Sequence, residues 1–166
     1  MKIHDDHMYH GAALIQIAEH PQFTAINSLR IRGSTVANSY QINNDIAVSL
    51  KYACVPVGGF KEYIFNFTQA NLAELTSIKD RYRKCFIALV CVQGREICCL
   101  SVEELFSLVE RRRNAAGRKE DVYSLLVTAP KGRSLRAYVN KPGRKGMRLG
   151  KELIVSRSGF PNEIFA

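Results

Sequence analysis

A run of eight apolar residues at positions 85–92 constrains the fold of this 166-residue chain more than any other segment. A strand that is apolar at every position must be covered on both of its faces, so the run predicts a buried central strand. Gln93 and Gly94 then form a tight turn, and residues 96–100 return as a paired second strand. The chain is therefore expected to pack further elements on both sides of a sheet.

Apolar spacing and turn residues divide the rest of the chain into helices and strands. Asp5 or Asp6 is expected to cap the first helix and Thr68 the second, and Ser101 forms a capping box with Glu104 at the third. Residues 62–67 are expected to form a hairpin with the strand before them. Helices are predicted at 7–20, 69–79 and 102–113, extended structure at 34–53 with a break at 43–44, strands at 62–67, 121–129, 134–140 and 148–156, and a further helical turn within the ambiguous segment 23–38.

This order of elements predicts the α/β (α+β) class, with a mixed sheet flanked by helices in a single domain of residues 1–166. The core is expected to occupy about residues 7–110, and residues 121–166 are expected to form a basic C-terminal β-meander. The apolar tail around Phe160, Ile164 and Phe165 is expected to fold back onto the core.

Positive charge is concentrated in the second half of the chain. Residues 1–80 contain six basic and seven acidic side chains, whereas residues 81–166 contain eighteen basic and eight acidic ones. Within 131–157, nine basic residues face a single acid, Glu152. Such an asymmetry is typical of a surface that binds a polyanion.

The basic segment predicts a nucleic-acid partner, either DNA or RNA, because cations on glycine-rich turns let the backbone approach phosphates. Tyr138 is expected to be exposed and to stack on a base. An acidic protein that docks on the same face is the alternative. The candidate nucleic-acid-binding residues are Lys131, Arg133, Arg136, Tyr138, Lys141, Arg144, Lys145 and Arg148.

The five cysteines indicate a reducing compartment, because their number is odd, they lie in apolar segments and none forms a C-x-x-C pair. They are interpreted as small buried apolar residues. No apolar run approaches the 18 residues that a membrane-spanning helix needs. The sequence thus predicts a cytoplasmic protein without a membrane partner.

His4, His7 and His10 recur every three residues at the start of the first predicted helix. Three imidazoles on one side of a helix can bind zinc or another transition metal. Solvated or locally bonded histidines are the competing interpretation, and it is favoured because chain ends fray. His10 is expected to be buried where the helix meets the sheet.

Asp45 and Lys51 form a second candidate site, at the two ends of one predicted strand. A carboxylate that holds Mg²⁺ and a lysine that neutralises the scissile phosphate are the groups that phosphodiester hydrolysis uses. Six residues of extended chain span about 20 Å, which argues against both groups touching one metal ion. A turn aspartate and a surface lysine are the alternative.

With these residues, the order of elements in 7–100 resembles the restriction-endonuclease-like, or PD-(D/E)XK, nuclease superfamily. That fold begins with a helix, continues through three antiparallel strands that carry an acid and then an acid-x-lysine motif, and closes with a helix and further strands. The resemblance implies a site built on Asp45 and Lys51, with Glu19 as an additional acid from the first helix, and Mg²⁺ as cofactor if the protein is a nuclease.

The motif departs from the superfamily at one position, since Ser49 stands two residues before Lys51 in place of an acid. This departure predicts a relative that has kept the scaffold and lost the metal site, and it favours binding over cleavage. Two hypotheses follow: a nucleic-acid-binding protein on a nuclease-like scaffold, with or without residual metal-dependent activity, and a non-enzymatic module that docks an acidic partner.

Overall fold

Two β-sheets, a separate two-stranded hairpin and four helices make up the structure, a computed structural model that describes residues 1–166. The α+β class and the mixed sheet flanked by helices are as predicted. The helices are α1 (Asp5–Ala18), α2 (Gln69–Arg81), α3 (Val102–Ala116) and α4 (Asn162–Phe165). The strands are β1 (Ile26–Ile31), β2 (Ser34–Ile42), β3 (Ile46–Ala53), β4 (Tyr63–Thr68), β5 (Lys84–Cys91), β6 (Glu96–Ser101), β7 (Val122–Thr128), β8 (Leu135–Tyr138), β9 (Asn140–Lys141), β10 (Arg144–Arg148) and β11 (Leu153–Val155).

The first sheet has the strand order β1-β2-β3-β5-β6 and places β5 inside it. β5 runs parallel to β3 and antiparallel to β6, and the remaining pairs in this sheet are antiparallel. Side chains on both faces of β5 are buried, with Ile87 and Leu89 on one face and Ala88 and Val90 on the other. The apolar run is therefore a buried central strand, as predicted.

The second sheet is antiparallel, has the order β11-β8-β7-β4, and packs over one face of the first. Along β4 the side chains alternate, so that Tyr63, Phe65 and Phe67 are buried while Ile64 and Asn66 point outward. The larger apolar core lies between the two sheets and is closed by α2 and α3. The predicted C-terminal meander is present as β7, β8 and β11, with the β9–β10 hairpin inserted before β11.

A smaller apolar core covers the opposite face of the first sheet. Ala13 and Ile17 of α1 pack there beside Phe160, Ile164 and Phe165 of the C-terminal segment. The prediction that this tail folds back onto the core is confirmed. No helix in the structure combines the length and the apolar character needed to cross a membrane.

Local capping signals explain where two of the helices begin. The Thr68 hydroxyl accepts from the Asn71 amide at 3.1 Å at the start of α2, and the Ser101 hydroxyl accepts from the Glu104 amide at 3.1 Å at the start of α3. At α1 the predicted cap is wrong, because His4 occupies the N-cap and its backbone amide donates to His7.

Two expectations about strands are wrong. Residues 23–38 contain no further helical turn, since β1 and the start of β2 lie there as an antiparallel pair. β4 does not form a hairpin with β3, because β2 and β5 already occupy both edges of β3. The chain crosses instead to the second sheet, where β4 pairs with β7.

Phe65 tests the packing of the two sheets against each other. The Phe65→Ala substitution is expected to lower the free energy of unfolding by about 3–5 kcal/mol, because it leaves a cavity in the larger core. Ile154→Ala is the control: its side chain is 64% exposed, so a change within about 0.5 kcal/mol is expected. Urea unfolding measures both, and equal effects would contradict this account of the core.

Candidate functional site

The three candidate catalytic residues do not converge in the structure. Asp45 precedes β3, is exposed, and lies 3.9 Å from the Lys84 ammonium group. Lys51 lies near the other end of β3, and Glu19 is exposed at the C-terminal end of α1. No three His, Cys, Asp or Glu side chains gather in an arrangement that could hold a metal ion.

A small polar pocket of about 150 Å³ surrounds Lys51 instead. Its ammonium group lies 3.4 Å from the Asn71 side-chain oxygen and 5.0 Å from the centre of the Phe67 ring. Burial lowers the pKa of Lys51, because the charged form loses hydration. The pocket therefore holds a partly desolvated cation that is fixed by an amide and an aromatic ring.

Two serines line the same pocket as Lys51. Ser39 of β2 and Ser49 of β3 are directly opposite each other in register, and their buried hydroxyl oxygens are 2.7 Å apart. Mg²⁺ prefers carboxylate oxygens, and Glu74 is the one carboxylate among the residues lining this pocket. The residues present do not fit a Mg²⁺ site of the kind that the resemblance implies.

The three N-terminal histidines do not form a single metal site. The backbone amide of His4 donates to His7 Nδ1 at 3.2 Å, which makes these two residues part of the α1 cap. His10 is 5% exposed and its ring packs edge-on against Tyr52 of β3, as predicted from its place in the helix. Its Nε2 atom is buried without a hydrogen-bond partner.

Several arginines of the C-terminal half form ion pairs and hydrogen bonds within the protein. The Arg112 guanidinium donates to both Glu120 oxygens, at 2.6 and 2.9 Å, and to the Asn140 carbonyl at 2.7 Å. Arg157 pairs with Glu96 and donates to two backbone carbonyls. These arginines join α3, β6 and the C-terminal strands, so their charge is already compensated.

Tyr138 and Arg148 form a further set of internal contacts. Tyr138 is 1% exposed and donates its hydroxyl to Glu62, while the Arg148 guanidinium lies 4.3 Å from the centre of its ring. Arg148 also pairs with Glu152, and burial raises the pKa of Tyr138. The prediction of an exposed Tyr138 is wrong, because Arg148 of β10 covers the outer face of β8.

The other predicted cations form two groups, at opposite ends of β8. Lys131 and Arg133 lie in the loop before it, and Lys141, Arg144 and Lys145 lie in the β9–β10 hairpin after it. None of these five side chains makes an ion pair. Arg136 sits between the groups on β8, where it is half-buried. Of the predicted binding residues, those without an internal partner thus lie mainly in one loop and one hairpin.

The hairpin borders an open site that we call the basic groove. It has a volume of about 740 Å³ and lies between the β9–β10 hairpin and the turn at residues 57–62. Its floor is the outer face of β4 and β7, including Ile64 and Val122. Gly143 and Gly146 adopt φ angles of 70° and 79°, which only glycine tolerates readily. The backbone is open at Gly143, where no atom lies within 4 Å of the position of a Cβ atom, and it is covered by Phe60 at Gly146.

Phe60 is the groove residue that sequence reasoning missed. Its side chain is 64% exposed at the groove, directly after Gly58 and Gly59. The available signal was an aromatic residue at the end of a Gly-Gly turn, where no core position is expected. The turn was interpreted only as a connection between strands.

Comparisons with protein-family models, with curated proteins and with solved structures found no match.

His10 is expected to make the stability of the protein depend on pH. Burial lowers the pKa of His10. The charge of Asp6 opposes this shift, and the charge of Lys51 adds to it. The unfolded chain protonates this residue near its ordinary pKa of about 6.5, so the free energy of unfolding is complete above that pH and falls as the pH drops toward the lower folded pKa.

Urea unfolding at about pH 7.5 and about pH 5.5 measures this loss of stability. His10→Gln, which cannot be protonated, is expected to lose less stability between the two pH values than the unaltered protein does. The same loss in both proteins would show that other groups cause the pH dependence.

Proposed function

We propose that this protein binds nucleic acid through the basic groove and does not cleave it. The observation that carries the proposal is the set of three cations on the β9–β10 hairpin, Lys141, Arg144 and Lys145, which make no ion pair and line the groove. Other cations of the C-terminal half, such as Arg112 and Arg157, already have acidic partners.

Electrostatics favours a polyphosphate at this hairpin. Cations without an acidic partner give up no internal contact when they bind phosphate, and each one that does so releases a condensed counterion. Gly143 leaves room for the backbone to approach phosphate oxygens, because no atom lies within 4 Å of the position that a Cβ atom would take there. Lys131 and Arg133 extend the positive surface to the other end of β8.

The position of the Lys51 pocket supports a nuclease-like scaffold without an intact metal site. Helix α1, the antiparallel strands β1, β2 and β3, helix α2 and β5 follow the order that the PD-(D/E)XK resemblance implies, with β4 as an insertion. Lys51 takes the place of the lysine of that motif. Ser49, hydrogen-bonded to Ser39, stands where the acid would be, so binding is the better-supported activity.

Binding is expected to weaken steeply as salt increases, and the hairpin is expected to cause much of that dependence. Replacing Lys141, Arg144 and Lys145 by Gln should weaken binding of a labelled oligonucleotide about tenfold or more. The slope of log K against log salt concentration should also become shallower by about 2–3. Fluorescence anisotropy titrations at several salt concentrations measure both quantities.

The matched control replaces Lys2, Arg32 and Arg83 by Gln. These exposed residues lie outside the groove, and their replacement removes the same amount of charge. The control is expected to keep most of the affinity and of the salt slope. An equal loss in both variants would mean that net charge, and not the groove, attracts nucleic acid; absence of binding at low salt would refute the proposal itself.

Cleavage is the second test. The protein is expected to leave DNA and RNA intact in Mg²⁺ or Mn²⁺, because the Lys51 pocket lacks the carboxylates that would hold these ions. Lys51→Ala is expected to bind as tightly as the unaltered protein, since the Lys51 pocket and the basic groove share no lining residue. Metal-dependent cleavage that disappears in Lys51→Ala, measured on a gel, would establish a nuclease instead.

A further inference from the structure

From the composition of the groove we infer that its occupant is single-stranded nucleic acid whose bases contact the apolar floor and Phe60. This inference rests on the proposed function and adds the form of the ligand. It depends on a combination that duplex binding does not require: unpaired cations at the rim and exposed apolar side chains inside.

Exposed apolar side chains are concentrated in the groove. Four of the twelve large hydrophobic residues that the protein exposes line it: Val57, Phe60, Ile64 and Val122. Their exposed fractions run from 41% to 64%. An exposed apolar cluster rimmed by polar residues is typical of a binding site, because burying it against a ligand is favourable.

The Phe60 ring contacts the backbone of the hairpin. A Cβ atom added to Gly146 would lie 2.8 Å from Phe60 Cε2, so only glycine lets the ring approach the hairpin this closely. Most of the surface of the ring stays exposed. An exposed aromatic ring next to cations is the arrangement with which proteins stack unpaired bases.

The electrostatics of the groove fits a chain of phosphates alongside those bases. Glu62 is the single carboxylate among the lining residues, and it accepts the hydrogen bond from the buried Tyr138. Lys141, Arg144 and Lys145 therefore face the groove without a competing exposed acid. Positive charge lies on the hairpin and apolar surface lies on the floor.

The two halves of this surface match the two halves of a nucleotide in a single strand. A duplex presents phosphates outside and keeps its bases stacked in the interior, so it would leave Phe60 and the floor uncovered unless bases flipped out. An acidic polypeptide would satisfy the cations and leave the aromatic ring without a stacking partner. A single strand satisfies both features, because each base has a face that can stack and each nucleotide carries a phosphate.

The experiment compares three labelled nucleic-acid ligands of about 20 nucleotides by anisotropy: oligothymidine, the same strand with abasic sites at every position, and the thymidine–adenine duplex. A labelled polyglutamate peptide is measured beside them as a polyanion without bases. The full-length protein is expected to bind oligothymidine most tightly. Phe60→Ala is expected to weaken oligothymidine binding about 5- to 100-fold, the range that loss of one stacked base gives. The abasic strand is expected to respond little to the same substitution.

Ile154→Ala is the control variant, because its side chain is exposed to the same extent as Phe60 and lies outside the groove. It is expected to bind all three ligands like the unaltered protein. The comparison of oligothymidine with the abasic strand needs no substitution, so the test stands even if a variant is unstable.

The outcomes separate this inference from the proposed function. Binding of the duplex as tightly as oligothymidine, with no effect of Phe60→Ala, would overturn the inference and leave nucleic-acid binding in place. Binding of a polyglutamate peptide as tightly as the strand would also overturn it, because that ligand has charge without bases. Failure of all three nucleic acids to bind at low salt would refute both.

Discussion

Burial of β5 on both faces is the constraint on which the rest of the structure depends. A strand with no polar face must lie between two layers, and the chain supplies α1 and the C-terminal segment on one side and α2, α3 and the second sheet on the other. The parallel pairing of β3 and β5 follows, because the chain passes through β4 and α2 before it returns. β4 then opens the second sheet, whose outer face becomes the floor of the basic groove.

The charge asymmetry of the chain has two physical components. Part of it is structural, since Arg112, Arg148 and Arg157 tie α3, β10 and the C-terminal loop to acids and carbonyls, at sites that are only partly exposed. The remainder is unpaired: it includes the cations of the β9–β10 hairpin, the loop that carries Lys131 and Arg133, and further exposed side chains such as Arg118 and Lys119. A net charge counted from sequence therefore overstates the surface that can attract a polyanion.

The Lys51 pocket and the basic groove are separate sites with different chemistry. The pocket contains a partly desolvated ammonium group that donates to an amide oxygen, and two serine hydroxyls that are hydrogen-bonded to each other. The groove contains unpaired cations beside exposed apolar side chains. The two sites share no lining residue.

The sequence by itself determined the features that rest on local chemistry. The apolar run predicted β5, the capping residues Thr68 and Ser101 predicted where α2 and α3 begin, and the asymmetry of charge located the basic hairpin. Tertiary structure decided which strands pair, which cations are neutralised and which aromatic ring is exposed. β4 pairs with β7 because both edges of β3 are occupied, and Tyr138 is buried because Arg148 covers it, while Phe60 stays in contact with solvent. These outcomes depend on contacts between residues far apart in the chain, and local spacing does not specify such contacts.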